Sequence, residues 1–304
     1  MTENNQIVQF HVPVMTQTVI QYLLPCIQHK KYKDKSAMYI DATLGSGGHS
    51  QAILENISDG IVVGIDLDID AIEYSKNRLK DHSNFHIFHT SYTNLDQIVS
   101  QFPDYALKGV LFDLGISSHQ ISKPNRGFSY SVQGILDMRF DQSNPIRNAK
   151  DIIQRSSEYE LSNILFKYGE ERFARNIARQ IHEQRRNIRT TFDLAQIVRS
   201  VVHGKNINKS LSRVFQALRI LVNNELDNVK IGLSKAIDLC ATGARLVVIT
   251  YHSLEDRIVK QIFRDYAQNN KLQILTKKPI RPLLIEINNN PSARSAHLRA
   301  AQKV

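Results

Sequence analysis

The sequence predicts an α/β protein: a mostly parallel sheet interrupted by an all-helical insertion. Three observations carry that prediction. From residue 38 to about 118, short apolar runs alternate with helical segments, the pattern of βαβ units. After Gly115 the alternation gives way to a long stretch of helical periodicity. Then GARLVVITYHS returns as a buried strand of the earlier kind. The simplest account is a sheet whose chain leaves after its fourth strand, builds a helical domain and comes back.

Each element has its own reason. MYIDA reads as a short buried strand and SQAILENI as the helix that follows it. GIVVGIDLD is a second strand ending in acids, and AIEYSKNRLK is helical. FHIFHTSY is a third strand, NLDQIVSQF a helix and KGVLFDLG a fourth strand. The polar loop ISSHQISKPNRGFSYSVQG then leads into the insertion. There Leu161, Ile164, Leu165 and Tyr168 fall at i, i+3, i+4 and i+7, and Phe173, Ile177 and Ile181 repeat every four. TTFDLAQIVRSVV offers a Thr N-cap and an amphipathic helix, and SRVFQALRILVNNELDNVKIGLSKAIDLC continues as helix. The tail, with its Pro and Asn turns, predicts one or two edge strands and then a basic end.

Bulk properties narrow the class. A chain of 304 residues with 42% hydrophobic and 22% charged residues is a globular protein able to bury a large core. No apolar run approaches the ~18 residues of a membrane span, and MTENNQIVQF has no signal-peptide pattern, so a cytoplasmic protein without a membrane partner is expected. The two cysteines, Cys26 and Cys240, are expected to be reduced, buried thiols, and the 11 histidines show no metal-ligand spacing, so no metal is implied. The net charge of +10 favours a polyanionic partner. Residues 141–230 hold 16 Lys+Arg against 10 Asp+Glu, so +6 of that charge lies in the insertion.

The chemistry concentrates where an open α/β sheet binds ligands, beyond the C-terminal ends of its strands. Asp41, Asp66 and Asp113 all sit at such ends. Asp66 follows Asp41 by 25 residues, close to the distance at which a nucleotide-binding unit presents an acid to a ribose diol. Between them lies DATLGSGGHS. A dinucleotide fingerprint asks for glycine at its last position, where Ser50 stands, which weakens a pyrophosphate ligand. The loop better suits a nucleoside without phosphate, such as S-adenosyl-methionine; a nicotinamide dinucleotide stays open as the alternative.

DATLGSGGHS, GIDLDIDAI, LFDLGISSHQ, RGFSYSVQGILDMRFD, RVFQALRILVNNEL, VVITYHSLEDRIVK and NPSARSAHLR together resemble the bacterial RsmH (MraW) family. The motifs run in family order from about residue 10 to 300. The resemblance implies a class I S-adenosyl-methionine-dependent methyltransferase with a Rossmann-like sheet, residues 1–122 and 225–304, and an inserted helical domain, 123–224, for recognising RNA. It implies methylation of the N4 amine of a cytidine in the decoding (P-site) region of 16S small-subunit rRNA.

By the same resemblance, Gly47, Gly48 and His49 form the cofactor loop and Asp66 is the ribose acid. Tyr92 lies beside the adenine, and Asp113 and Gln120 are further cofactor positions. Asp113, ending the fourth strand, is the candidate nearest the chemistry, as acceptor for the amine or as a cofactor contact alone. His252, Ser253 and Arg257, with Glu255 and Asp256, follow the returning strand; His252 contacts substrate or is a satisfied hydrogen-bonding residue. Phe128 stacks on a base or belongs to the core. Arg139 binds phosphate or pairs near Asp137. Arg172, Arg175 and Arg179, at i, i+3 and i+7, with Arg185, Arg186 and Arg189, predict an RNA-facing surface. The sequence departs from the family pattern at SSHQIS (117–122), at QGILDMR (Gln133, Ile135) and at Thr18. The competing readings are a DNA amine methyltransferase, which lacks support because Asp113-Leu-Gly-Ile holds no proline pair, and an RNA-binding assembly protein without catalysis.

Overall fold

The computed structural model describes residues 13–24 and 33–304, so Cys26 lies outside the described residues. The chain divides into two compact units. One runs to Ser118 and resumes at Val229; the other is His119–Asn228.

In the first unit, α1 (Thr16–Leu23) precedes β1 (Ala37–Asp41), α2 (Gly48–Asn56), β2 (Ile61–Asp66), α3 (Ile69–Arg78), β3 (Phe85–His89), α4 (Leu95–Val99) and β4 (Ala106–Asp113). The seven-stranded sheet has the order β3-β2-β1-β4, followed by β5 (Arg245–Thr250), β7 (His297–Lys303) and β6 (Leu272–Ile274). Strands β1 to β5 are parallel, and β7 runs antiparallel to both neighbours. Every residue of β1 is buried, as expected of a strand covered on both faces. Its side chains alternate between two cores. Met38 and Ile40 join Val63, Val110 and Val248 on one face; Ala37 and Tyr39 join Val62, Leu111 and Val247 on the other. Val259 and Phe263 of α12 (Ser253–Gln268) cover the first core, and Val19 and Leu23 of α1 cover the second.

The tail corrects one expectation. The last strand is interior, between β5 and β6, and only β6 forms the edge. Leu298, Ala300 and Ala301 are fully buried, so β7 is a core strand rather than an edge. A short helix, α13 (Leu284–Asn289), lies between β6 and β7 in sequence. Cys240 is buried, and burial pushes its thiol up to about 12, which keeps it inert.

The second unit begins within α5 (Ser118–Ser122) and holds α6 (Ala149–Arg155), α7 (Glu158–Gly169), α8 (Ala174–Gln184), α9 (Thr191–Val201) and α10 (Ile207–Asn223). Three of these start with complete capping boxes: Asn148 with Asp151, Ser157 with Glu160 and Thr190 with Asp193. Each cap contributes about 1 kcal/mol. Leu161 and Leu165 of α7 are buried as the spacing predicts. Phe173 is not: it is the exposed residue before α8, and Ala174, Ile177, Ala178 and Ile181 form the buried face instead. Arg172 therefore precedes the helix that carries Arg175 and Arg179. The long helical run is also broken, because Asn224 adopts φ 49° between α10 and α11 (Glu225–Leu239). Among the described residues, no helix is long and apolar enough to cross a membrane.

Candidate active site

The topology brings three acids to one edge. β1 lies between β2 and β4, so Asp66, Asp41 and Asp113 end three adjacent strands. Asp41 pairs in register with Gly64 and Leu111, so Asp66 and Asp113 each reach two residues beyond it. Asp41 is consequently fully buried, while the other two stand partly accessible at the rim.

The buried acid is held by the residue that breaks the dinucleotide fingerprint. Ser50 Oγ donates to Asp41 Oδ2 at 2.8 Å, and the Thr43 N–H reaches Asp41 Oδ1 at 3.4 Å. Burial raises the Asp41 carboxyl above its usual range, against the pull of His49 and Ser50. Thr43 in turn accepts the Asp113 N–H at 2.7 Å, which ties the glycine loop to the end of β4.

Asp66 shapes the same loop. Its Oδ2 accepts the Gly45 N–H at 2.7 Å and its Oδ1 the Asp68 N–H at 2.9 Å. Burial pushes this carboxyl up to about 6, against the pull of the two N–H groups. Each oxygen accepts one N–H here and has a further lone pair for a ribose hydroxyl. Gly47 has φ 73°, and an added Cβ would lie 3.0 Å from Ser75 Oγ, so a bulky residue there strains the loop itself as well as any ligand contact. Gly48 is small for another reason: a Cβ would meet Pro13 Cγ at 2.8 Å. The helix that follows, α2, has no side-chain N-cap, which leaves its first N–H groups for an anionic group.

Asp113 sits at the centre of a second cluster. Tyr251 Oη donates to Asp113 Oδ1 at 2.8 Å, and His49 Nε2 lies 3.4 Å from Asp113 Oδ2. Burial works to lower the His49 imidazole, but Asp113 and then Asp41 hold it above its usual value. Burial and Asp113 together push the Tyr251 phenol well above its usual range, so it remains a hydrogen-bond donor. His49 is 5% exposed, and its Nδ1 makes no hydrogen bond among the described residues. A buried ring nitrogen without a partner is costly and points to a ligand.

The other expected site residues fall in different places. Tyr92 begins the turn after β3, packs edge-on against Phe112 and crowds Gly232. His252 is the N-cap of α12: its Nδ1 accepts the Glu255 N–H at 3.4 Å and its Nε2 lies 3.2 Å from Glu255 Oε1. The cap uses Nδ1 alone: the buried Nε2 makes no hydrogen bond among the described residues, so a substrate contact stays open to it. Ser253 and Arg257 are exposed on α12, whereas Asp256 is taken by a bidentate pair with Arg299 at 2.7 and 2.9 Å.

Three candidates belong to the second unit. Gln120 is buried in α5. Phe128 is 6% exposed and stacks on Phe140 at 5.8 Å, which is its core alternative and leaves it no free face for a base. Arg139 takes the pairing alternative. Its Nε and Nη2 bind Asp137 at 2.9 and 2.8 Å and its Nη1 binds the Asn144 carbonyl, so its fork is spent within the loop. Arg172, Phe173, Asn206, Lys209, Ser210 and Arg213 line a basic cleft in this unit. Lys209 and Arg213 were missed because they lie a helix away in sequence; Tyr251 and Thr43 were missed because neither residue type announces a site.

A cation-bearing nucleoside fits the strand-end site, whose acidic groups favour positive charge and repel a pyrophosphate. Asp66 keeps acceptor capacity at the rim, and the uncapped start of α2 suits a carboxylate. An open α/β sheet with such a site defines a methyltransferase of the S-adenosyl-methionine-dependent class. The chain belongs to the MraW methylase family, whose model matches residues 8–304. It is similar to the ribosomal RNA small subunit methyltransferase H of Halothermothrix orenii, 42% identical over 315 residues, covering 97% of this chain and 98% of the relative. The protein of the same name from Thermotoga neapolitana is 41% identical, over 97% and 96% of the two chains. This chain is an S-adenosyl-methionine-dependent methyltransferase.

Proposed function

We propose that the protein methylates N4 of a cytidine in the decoding (P-site) region of 16S small-subunit rRNA. The observation that carries the mechanism is Asp113, a rim carboxylate oriented by Tyr251 on one oxygen and His49 on the other. Two relatives named for small-subunit rRNA methylation support the substrate. The exocyclic amine of cytosine is a weak nucleophile because its lone pair is delocalised into the ring. Asp113, accepting a hydrogen bond from N4–H, returns electron density to the nitrogen and fixes its direction of attack. Tyr251 stays protonated and holds Asp113 in place. S-adenosyl-methionine supplies the activated methyl group when bound.

In this reading Gly47, Gly48, His49, Asp66, Tyr92, Asp113 and Gln120 hold the cofactor, and His252, Ser253 and Arg257 face the substrate. The helical domain recognises RNA, and support comes from its charge and from the cleft of Arg172, Lys209 and Arg213. Buried Glu171 lies 4.0 Å from Arg213 of that cleft. A cytoplasmic location follows from this substrate. The test is incubation with methyl-labelled S-adenosyl-methionine and under-methylated small subunits, then digestion of the rRNA to nucleosides. Label in N4-methylcytidine is expected; label in any other nucleoside, or none, would sink the reading.

A further inference from the structure

Three consecutive large aliphatic residues of the first unit stand exposed to water. Leu283, Leu284 and Ile285 are 72%, 79% and 69% exposed, and three consecutive exposed aliphatic residues call for an explanation that a single one does not. The segment is fixed at both ends. Ile280 bridges to Leu298 before it, and within α13 the Ile287 N–H bonds the Leu283 carbonyl and the Asn290 N–H bonds the Glu286 carbonyl.

The same helix reaches the glycine loop. Glu286, the next residue, accepts the backbone N–H of Met15. Pro13, two residues before Met15, fills the space beside Gly48. The Glu286 charge also acts on His49 and on Tyr251, the two partners of Asp113. The apolar triad therefore stands at the rim of the strand-end site. Lys277, Lys278 and Arg281 precede it, all exposed.

Cations beside apolar side chains suit nucleic acid: the cations take phosphates, and aliphatic side chains enter between bases and hold them apart. An enzyme that modifies a stacked base must first draw it out, at a cost of a few kcal/mol. We infer that Leu283, Leu284 and Ile285 form a wedge that fills the gap in the rRNA stack when the target base turns into the site. The inference rests on the rRNA reading proposed above, since another substrate would have no stack to hold open.

The test replaces all three with serine (Leu283→Ser, Leu284→Ser, Ile285→Ser) and, in a second variant, with methionine. All three positions are exposed, so both variants are expected to keep the melting temperature and cofactor affinity of the parent. Turnover is measured on under-methylated small subunits. A wedge predicts that the serine variant loses about tenfold or more in kcat, with KM for the subunit little changed, and that methionine restores most of the loss. Unchanged turnover overturns the proposal, and so does a rise in KM alone, which would make the patch a docking contact. Loss of turnover together with a halved sedimentation mass also overturns it, because the face would then cover a second copy. Loss of binding to anionic vesicles with kcat intact would mark a membrane contact and overturn it too. If the unsubstituted protein transfers no methyl group to the subunits, the rRNA reading itself has failed, a result distinct from any of these.

Discussion

Two carboxylates hold two loops of this protein in opposite ways. Asp66 accepts the N–H groups of Gly45 and Asp68 and no hydrogen bond from a cationic side chain among the described residues, and burial pushes it up to about 6. Asp137 is buried as well, which alone would raise it, yet the Arg139 guanidinium and N–H hold it below the usual carboxylate range. The first loop leaves charge and lone pairs for something else to satisfy. The second satisfies itself: Arg126 donates to the carbonyls of Arg139 and Phe140, and Asn223 bonds the backbone of Met138 and Phe140. Both loops carry conspicuous motifs, but only unspent valence separates a site from a scaffold.

Breaking the self-satisfied loop should do the larger damage. Arg139→Ala leaves the Asp137 carboxylate buried without its cation, at a cost of about 3 kcal/mol. A urea midpoint should register that loss, while cofactor affinity stays within error; the reverse pattern would make Arg139 part of the site. Asp66→Asn should do the opposite, leaving stability nearly intact and weakening cofactor binding roughly tenfold, the worth of a hydrogen bond to a charged acceptor.

The pH dependence sharpens the same contrast. Ribose hydroxyls favour the ionised form of Asp66, so calorimetry should find cofactor affinity level above about 6 and falling as pH drops below it. The Asp66→Asn variant should lack this fall. For stability the sign is reversed: the folded state binds the proton more tightly than the unfolded one, so the contribution of Asp66 declines as pH rises from about 4 to about 6. The smallest effect is expected from the exposed helix surface. Removing Arg175 and Arg179 together should weaken RNA binding a few-fold and flatten its salt dependence by about 1.5 logarithmic units per decade of salt. An unchanged slope would remove this surface from the RNA interface.

Much of this was legible in the sequence because it depends on period and position. Continuous apolar runs gave the parallel strands, and acids at three successive strand ends gave the site edge. What was not legible depends on partners distant in sequence. Ser50 looked like a mere departure from a fingerprint until Asp41 appeared against it. Tyr251 lies 138 residues from the Asp113 it holds, and no local pattern links them. RGFSY and LDMR are unusual as text, but their rarity reflects a loop that bonds to itself: Phe128 on Phe140 and Arg139 on Asp137. The interior place of β7 escaped because its direction and neighbours follow from the whole sheet, not from its own residues.

The central claim is that Asp113 acts on the amine as well as on the cofactor. Single-turnover methylation by Asp113→Asn, with S-adenosyl-methionine saturating, separates the two roles. The account predicts a rate lower by a hundredfold or more, the scale of losing one well-placed electrostatic contact to the transition state, with cofactor dissociation changed by less than tenfold. A rate equal to that of the unsubstituted enzyme once cofactor is saturating would contradict it, and would leave Asp113 a cofactor ligand alone.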